Sequence, residues 1–329
     1  MTVFGYHASH EQFTPSQLLA WATAAERAGF QAGMCSDHYA PWTNRQGESG
    51  FAWSWLGAAL QATTLSFGTV TAPIDRYHPV IIAQACATLA EMYPGRSWVA
   101  LGSGLAVNER FLDNRWPPKW ERQLRIEEAA DAMRRLWAGE TVTHRGTFTA
   151  EEAVLYTTPA EPPLLVGAAV SPASGQWVGR WADALITILQ PGDAMMETVA
   201  AFREGGGEGK PIFLQAQHSY AAQDEEALAA AHDQWSANIL DSAALAEIPT
   251  PSGFEAAAAY ISRQDVAGHI RASSRPEEHA AWLRSYTELG FDRVYIHNVG
   301  RNQAEFIDVY GREVLPALIP TPAKRAGSG

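Results

Sequence analysis

The segment Ser36-Asp37-His38-Tyr39-Ala40-Pro41-Trp42 concentrates the residue types that do chemistry. It follows an apolar run, Ala32-Gly33-Met34-Cys35, that reads as the end of a strand. A Ser-Asp-His triple is poor core material. It is well placed if the fold is a parallel α/β barrel, whose active sites lie at the C-terminal ends of the strands. His38 can act as a general acid or base, or donate a hydrogen bond to a ligand ring. The plainer alternative is a capping or core histidine, and Asp37 beside it favours function. Pro41 ends regular structure, and Trp42 adds a flat apolar wall suited to an aromatic ligand.

Three other strand ends carry unusual residues. One reads Thr69-Val70-Thr71-Ala72-Pro73, then Asp75-Arg76-Tyr77-His78-Pro79. A second reads Gly102-Ser103-Gly104-Leu105-Ala106-Val107-Asn108-Glu109. The third, Gly167 through Gly175, looks like a phosphate loop, because small residues admit an anion and the helix starting near Pro172 aims free N–H groups at it. The same loop would also serve as a plain strand-to-helix turn with a serine cap. His78 is best read as a helix-entry residue, and Glu140 with His144-Arg145-Gly146 as a solvated hairpin. His7, His10 and Glu11 could suggest a metal, but three ligands on one short loop do not converge easily, so no metal site is expected.

The elements that must position these groups alternate along the chain. Strands are expected at Val3–His7, Gln31–Ser36, Leu65–Thr71, Ser97–Leu101, Leu164–Ala168, Ala184–Ile188, Ile212–Gln217 and Arg293–His297. Helices separate them, among them Thr14–Ala28, Trp53–Thr63, Pro79–Tyr93, Trp120–Trp137, Pro172–Trp181, Ala194–Arg203, Pro276–Leu289 and Gln303–Leu315. An excursion with a hairpin is expected over Thr141–Tyr156, and two or three helices over Glu225–Ala267. Eight strands alternating with helices imply a parallel sheet, and eight is the number that closes a (β/α)8 TIM barrel. The open doubly wound alternative lacks a G-x-G-x-x-G after the first strand. The expected organisation is one barrel with insertions over residues 1–318 and a short polar tail over 319–329.

Bulk properties narrow the function. The chain has 329 residues, 47% hydrophobic, with a formal net charge of −12 spread along its length. That balance argues against nucleic acid or an anionic membrane as the main partner. Cys35 and Cys86 are the only cysteines, so no disulfide framework or cysteine-based zinc site is expected. Met1 leads quickly into a strand-like run with no basic or apolar leader, and no stretch is long enough to span a membrane, so a cytoplasmic location is expected.

Taken in order, these motifs resemble the luciferase-like flavin and deazaflavin oxidoreductases, nearest to the F420-dependent glucose-6-phosphate dehydrogenase group. The likeness is best from Gly5 to Asp183. It rests on Gly5-Tyr6-His7-Ala8 with Glu11-Gln12-Phe13, Ala25-Glu26-Arg27-Ala28-Gly29-Phe30, and Ser36-Asp37-His38 through Pro41-Trp42. It continues through Arg76-Tyr77-His78-Pro79, Tyr93-Pro94-Gly95-Arg96, Gly102-Ser103-Gly104, Asn108-Glu109 and Gly179-Arg180-Trp181-Ala182-Asp183.

The resemblance implies a usually dimeric luciferase-like barrel holding F420 or FMN at its mouth. It implies a catalytic role for His38 and a substrate wall at Trp42. Cofactor contacts fall on Asp37, Ala72, Ser103 and Asn108, with Val170, Ser171, Ala173 and Ser174 around the cofactor phosphate. A non-prolyl cis peptide behind the ring would fall at Thr69-Val70. The departures are equally informative. The family's acid after Gly-x-Gly is replaced by Leu105, and its substrate-phosphate threonine and lysine fall on Ile188 and Pro191.

The function expected is therefore hydride transfer between a small organic substrate and F420 or FMN, with glucose 6-phosphate a poor substrate. The substrate pocket should be apolar, walled by Trp42, Leu105 and Ile188, with Phe51, Trp53 or Trp55 as further candidates. With Leu105 in place of the acid, no second proton carrier is evident beside His38, and Glu109 is the reserve. An FMN-dependent monooxygenase supplied by a flavin reductase is the alternative. A flavin-binding protein without turnover is a third reading.

Overall fold

A computed structural model of the chain describes residues 1–112 and 116–318. Residues 319–329, where the polar tail is expected, lie outside the described residues. The eight expected strands form one parallel sheet. They are β1 (Val3–Ala8), β2 (Ala32–Ser36), β3 (Ser66–Thr71), β4 (Ser97–Leu101), β5 (Leu164–Ala168), β6 (Ala184–Ile188), β7 (Ile212–Tyr220) and β8 (Arg293–Asn298). Each pairs with the next, β7 pairs with β8, and β8 pairs with β1, so the sheet closes into a (β/α)8 barrel.

Local chemistry explains the punctuation. Thr14 caps the helix Pro15–Ala28 in a reciprocal box with Gln17, and Gly29 ends it at φ 99°. His78 caps Pro79–Met92 by accepting from the Val80 N–H, which is the helix-entry role expected of it. Inside the barrel, Trp98, Phe213 and Tyr295 pack with Ala32, Met34, Ala100, Val166 and Ile186. Gly5 and Gly68 make room for two of these rings: a Cβ at Gly68 would lie 2.0 Å from Trp98, and one at Gly5 2.4 Å from Tyr295. These rings fill the bottom of the barrel, and the large cavity lies toward the mouth.

The structure corrects several expectations. No cis peptide bond occurs among the described residues, so Thr69-Val70 is trans. The strand stays in register on both sides there, Thr69 opposite Cys35 and Val99 and Val70 opposite Ser36 and Ala100, as extended trans backbone allows. β7 runs three residues further than expected, to Tyr220, because Arg271–Ser273 adds a short parallel strand against its end. The 225–267 region holds four α-helices, Asp224–Trp235, Ser242–Glu247, Pro251–Ala258 and Arg263–Ala267, because Asp241, Thr250 and Ser262 each start a new one as its N-cap. The hairpin is present at Val142–Arg145 and Thr149–Ala153. Its His144 is less solvated than expected, since it bonds Glu128 at 3.0 Å and stacks on Phe148. Among the described residues no helix is long and apolar enough to cross a membrane.

Candidate active site

A cavity of about 440 Å³ opens at the C-terminal mouth of the barrel. His38, Trp42, Val70, Leu105, Val170 and Ile188 all line it, so six sequence-derived candidates from five segments meet in one space. Met34, Ile186, Leu189, Ile239, Leu240 and Leu245 extend its apolar wall. Phe51, Trp53 and Trp55 are not part of that wall. Phe51 is exposed, and Trp55 packs edge-on against His10 and Phe67. The second large ring is Trp235, delivered by the helix Asp224–Trp235.

His38 sits 4.9 Å from Trp42, ring to ring, and its Nδ1 lies 3.5 Å from Glu11 Oε1, an ion-pair distance rather than a hydrogen bond. Glu11 is buried, and its other oxygen accepts from Ser9 Oγ at 2.9 Å and Ser36 Oγ at 2.5 Å. Burial pushes the Glu11 carboxyl up, but His38 and the Ser36 hydroxyl outweigh it and hold the group below its usual value. Burial pulls His38 below the ordinary imidazole range, and the Glu11 charge only partly opposes it. The pair is therefore a neutral imidazole beside a carboxylate, an arrangement that can take a proton and stabilise the resulting cation.

A second titratable group, the Glu11 carboxylate, thus stands beside His38, which the sequence reading did not place there. His7 lines the same cavity, and its ring lies 4.3 Å from His297, whose Nε2 pairs with Gln12 Oε1 at 3.0 Å. Burial and His297 keep the His7 ring neutral. His10 faces Trp55 rather than the cavity.

The remaining candidates shape the mouth from behind. Asp37 does not line the cavity. Its carboxylate accepts from Thr71 Oγ1 at 2.6 Å and Tyr77 OH at 3.0 Å, and Arg76 lies 3.4 Å away. Asn108 Oδ1 accepts from the Tyr39 N–H at 2.9 Å and so holds the loop carrying His38 and Trp42. Ser103 presents its carbonyl to the buried Arg122 at 3.0 Å. Thr69 bonds the Cys35 carbonyl, and Ala72 packs on the core near Gly104. Glu109, the reserve candidate, is a first-turn acid of the short helix Ala106–Glu109. It is buried, accepts from the N–H groups of Asp75 and Arg76, and is pushed up to about 7 by burial, away from the cavity.

Of the proposed phosphate loop, Ala168, Ala169 and Val170 line the cavity, and Ser171, Ala173 and Ser174 do not. Ser171 caps Pro172–Gly179 by accepting from Ser174 N–H, and Ala173 is exposed on the first turn. The capping role is real, and it leaves the first-turn N–H groups of an eight-residue helix at the rim of the mouth. An aspartate caps as well as a serine, so Ser171→Asp keeps the helix and adds only negative charge. We expect this change to weaken F420 or FMN binding about tenfold or more through like-charge repulsion. Unchanged affinity for both cofactors in a titration would remove the phosphate assignment.

Residues that sequence reasoning missed include Gln190, Gln215, Gln217, Trp235 and Asn238, all lining the cavity. One signal was readable. Phe213, Gln215 and Gln217 share one face of a strand, and its turn from apolar to polar marks the approach to the mouth.

Comparison with known proteins agrees with this geometry. The family described as luciferase-like monooxygenase matches residues 1–293. The chain is 36% identical to an F420-dependent glucose-6-phosphate dehydrogenase of Beutenbergia cavernae, covering 97% of this chain and 98% of that protein. It is 35% identical to one of Nakamurella multipartita, covering 96% of each. Among solved structures, an F420-dependent secondary alcohol dehydrogenase in complex with an F420-acetone adduct superposes with a TM-score of 0.89 at 30% identity, covering 97% of this chain and 99% of that one. The FMN complex of the oxygenating constituent of 3,6-diketocamphane monooxygenase, from Pseudomonas putida, shares the fold at TM-score 0.70 and 16% identity, covering 98% and 99%.

Proposed function

The chain belongs to the luciferase-like monooxygenase family, and from that membership we propose that it is an F420-dependent oxidoreductase acting on a small neutral alcohol or the matching carbonyl compound. The observation that carries this reading is the His38–Glu11 pair facing an apolar cavity with no lysine or arginine among its described lining residues. The relatives with the highest quoted identity, matched over nearly their whole length, are F420-dependent dehydrogenases, which favours F420 over FMN. The FMN-bound neighbour speaks to the fold alone.

Several features of the mouth suit a flat ring system. The wall at Val70, Ala168 and Val170 is apolar, and the rim helix offers free N–H groups to a phosphate. F420, when bound, supplies the ring carbon that accepts or returns hydride. The protein's part is position and proton handling. His38, neutral beside the Glu11 carboxylate, takes the hydroxyl proton as an alcohol is oxidised and returns it in the reverse direction. Trp42, Leu105 and Ile188 exclude water and hold the substrate's apolar part.

Anaerobic incubation with F420 and a panel of neutral secondary alcohols tests the reading. We expect cofactor reduction without a reductase or O2. O2-dependent turnover only with FMN, NAD(P)H and a reductase would replace it with the monooxygenase reading. Glucose 6-phosphate should be a poor substrate, because Leu105, Ile188 and Pro191 line the cavity where a phosphate would need a cation and Glu11 and Asp241 are its acids. A kcat/KM for glucose 6-phosphate of about 10⁴ M⁻¹s⁻¹ or more would overturn that prediction.

A further inference from the structure

The cavity contains polar atoms that the hydride-transfer reading does not use. Gln190 donates from Nε2 to the Val170 carbonyl at 3.0 Å, which fixes the orientation of its amide. Its Oε1 is buried and has no hydrogen-bond partner. Asn238, from the turn after the helix Asp224–Trp235, lines the same cavity, and its Oδ1 is likewise buried without a partner. Native proteins rarely leave such oxygens unpaired, so each asks for a donor. A cationic donor is one solution, but Glu11 is already engaged by His38 and two serines, and Asp241 caps its own helix through Ala243 N–H. An ammonium bound there would need a carboxylate beside it, and neither acid is hydrogen-bonded to Gln190 or Asn238. A neutral hydroxyl fits an amide oxygen without that need.

We propose that Gln190 and Asn238 form a hydroxyl-recognising subsite, which reads a ligand hydroxyl other than the one that reacts at His38. The proposal rests on the reading of this cavity as the substrate and cofactor site. The hydroxyl belongs either to the substrate, which is then a diol or unphosphorylated polyol, or to the polyhydroxylated side chain of the cofactor. Gln190 bridges the two possibilities, because its amide ties the end of β6 to Val170 on the loop expected to hold the cofactor.

Tryptophan fluorescence supplies a binding signal that needs no turnover, since Trp42 and Trp235 both line the cavity. The probes are cyclohexanol, trans-1,2-cyclohexanediol, F420 and FMN, titrated into the wild type, Gln190→Met and Asn238→Leu, with circular dichroism as the check on folding. Two results support the subsite. In the first, the wild type binds the diol about tenfold more tightly than the alcohol and the variants lose that preference, which assigns the hydroxyl to the substrate. In the second, the diol shows no preference but the variants bind F420 or FMN about tenfold more weakly, which assigns it to the cofactor. If a folded variant matches the wild type in both the diol-to-alcohol ratio and the cofactor affinities, the subsite does not exist. Failure of either alcohol to reduce F420 bears on the proposed function alone, because these ratios are read from binding.

Discussion

His38→Ala should lower turnover on the order of 10²-fold or more, the range of positioned acid–base catalysis, with cofactor affinity changed only modestly. The ring lies at the mouth between Trp42 and Glu11, and among the described residues no other imidazole lining the cavity has a carboxylate at ion-pair distance. His7 is no substitute, since burial and His297 hold it neutral well below the usual range. His38→Asn separates the two roles open to the ring. It should recover part of the loss if a hydrogen bond is all that is needed, and almost none if a proton moves. Full activity in His38→Ala, measured where the chemical step limits the rate, would move the chemistry to another residue.

The second large effect is expected from Glu11→Gln, which keeps the shape of the side chain and removes its charge. In the wild type the carboxylate raises the affinity of His38 for a proton, against the larger downward pull of burial. Without it the His38 pKa falls further below 6.5. For alcohol oxidation the active form is the neutral ring, so activity is lost as pH falls through the His38 pKa. The acid limb of kcat/KM therefore lies below pH 6.5 in the wild type and moves to still lower pH in Glu11→Gln. The plateau should also fall on the order of 10- to 100-fold, because each pKa unit of lost imidazolium stabilisation is worth about 1.4 kcal/mol. A pH–rate profile of wild type and variant, with the His38 titration followed by NMR, checks both. An unshifted acid limb would mean that Glu11 only braces Ser9 and Ser36.

Both predictions depend on a pairing that illustrates how far reading the chain can reach. The eight strands, their order and the barrel they close were legible from apolar runs punctuated by Pro and Gly, because those patterns are local. The chemistry-bearing strand ends were legible too, because a polar cluster after an apolar run stands out wherever the chain later goes. Ser171 was legible as a helix cap and Trp42 as a cavity wall for the same reason.

Which acid serves His38 was not legible in that way. In sequence the obvious partner is Asp37, and Glu11 belongs to another loop. Successive side chains on extended backbone point to opposite sides, so placing His38 in the cavity turns Asp37 outward to Thr71, Tyr77 and Arg76. β1 pairs beside β2, and the loop after β1 thereby brings Glu11 to the imidazole. The lack of lysine and arginine among the cavity's described lining residues, the burial of Glu109 and the unpaired oxygen of Gln190 are of the same kind. Composition and periodicity determine which elements form. The facing of side chains across a closed barrel depends on register and strand order together, and these are set only when distant segments meet.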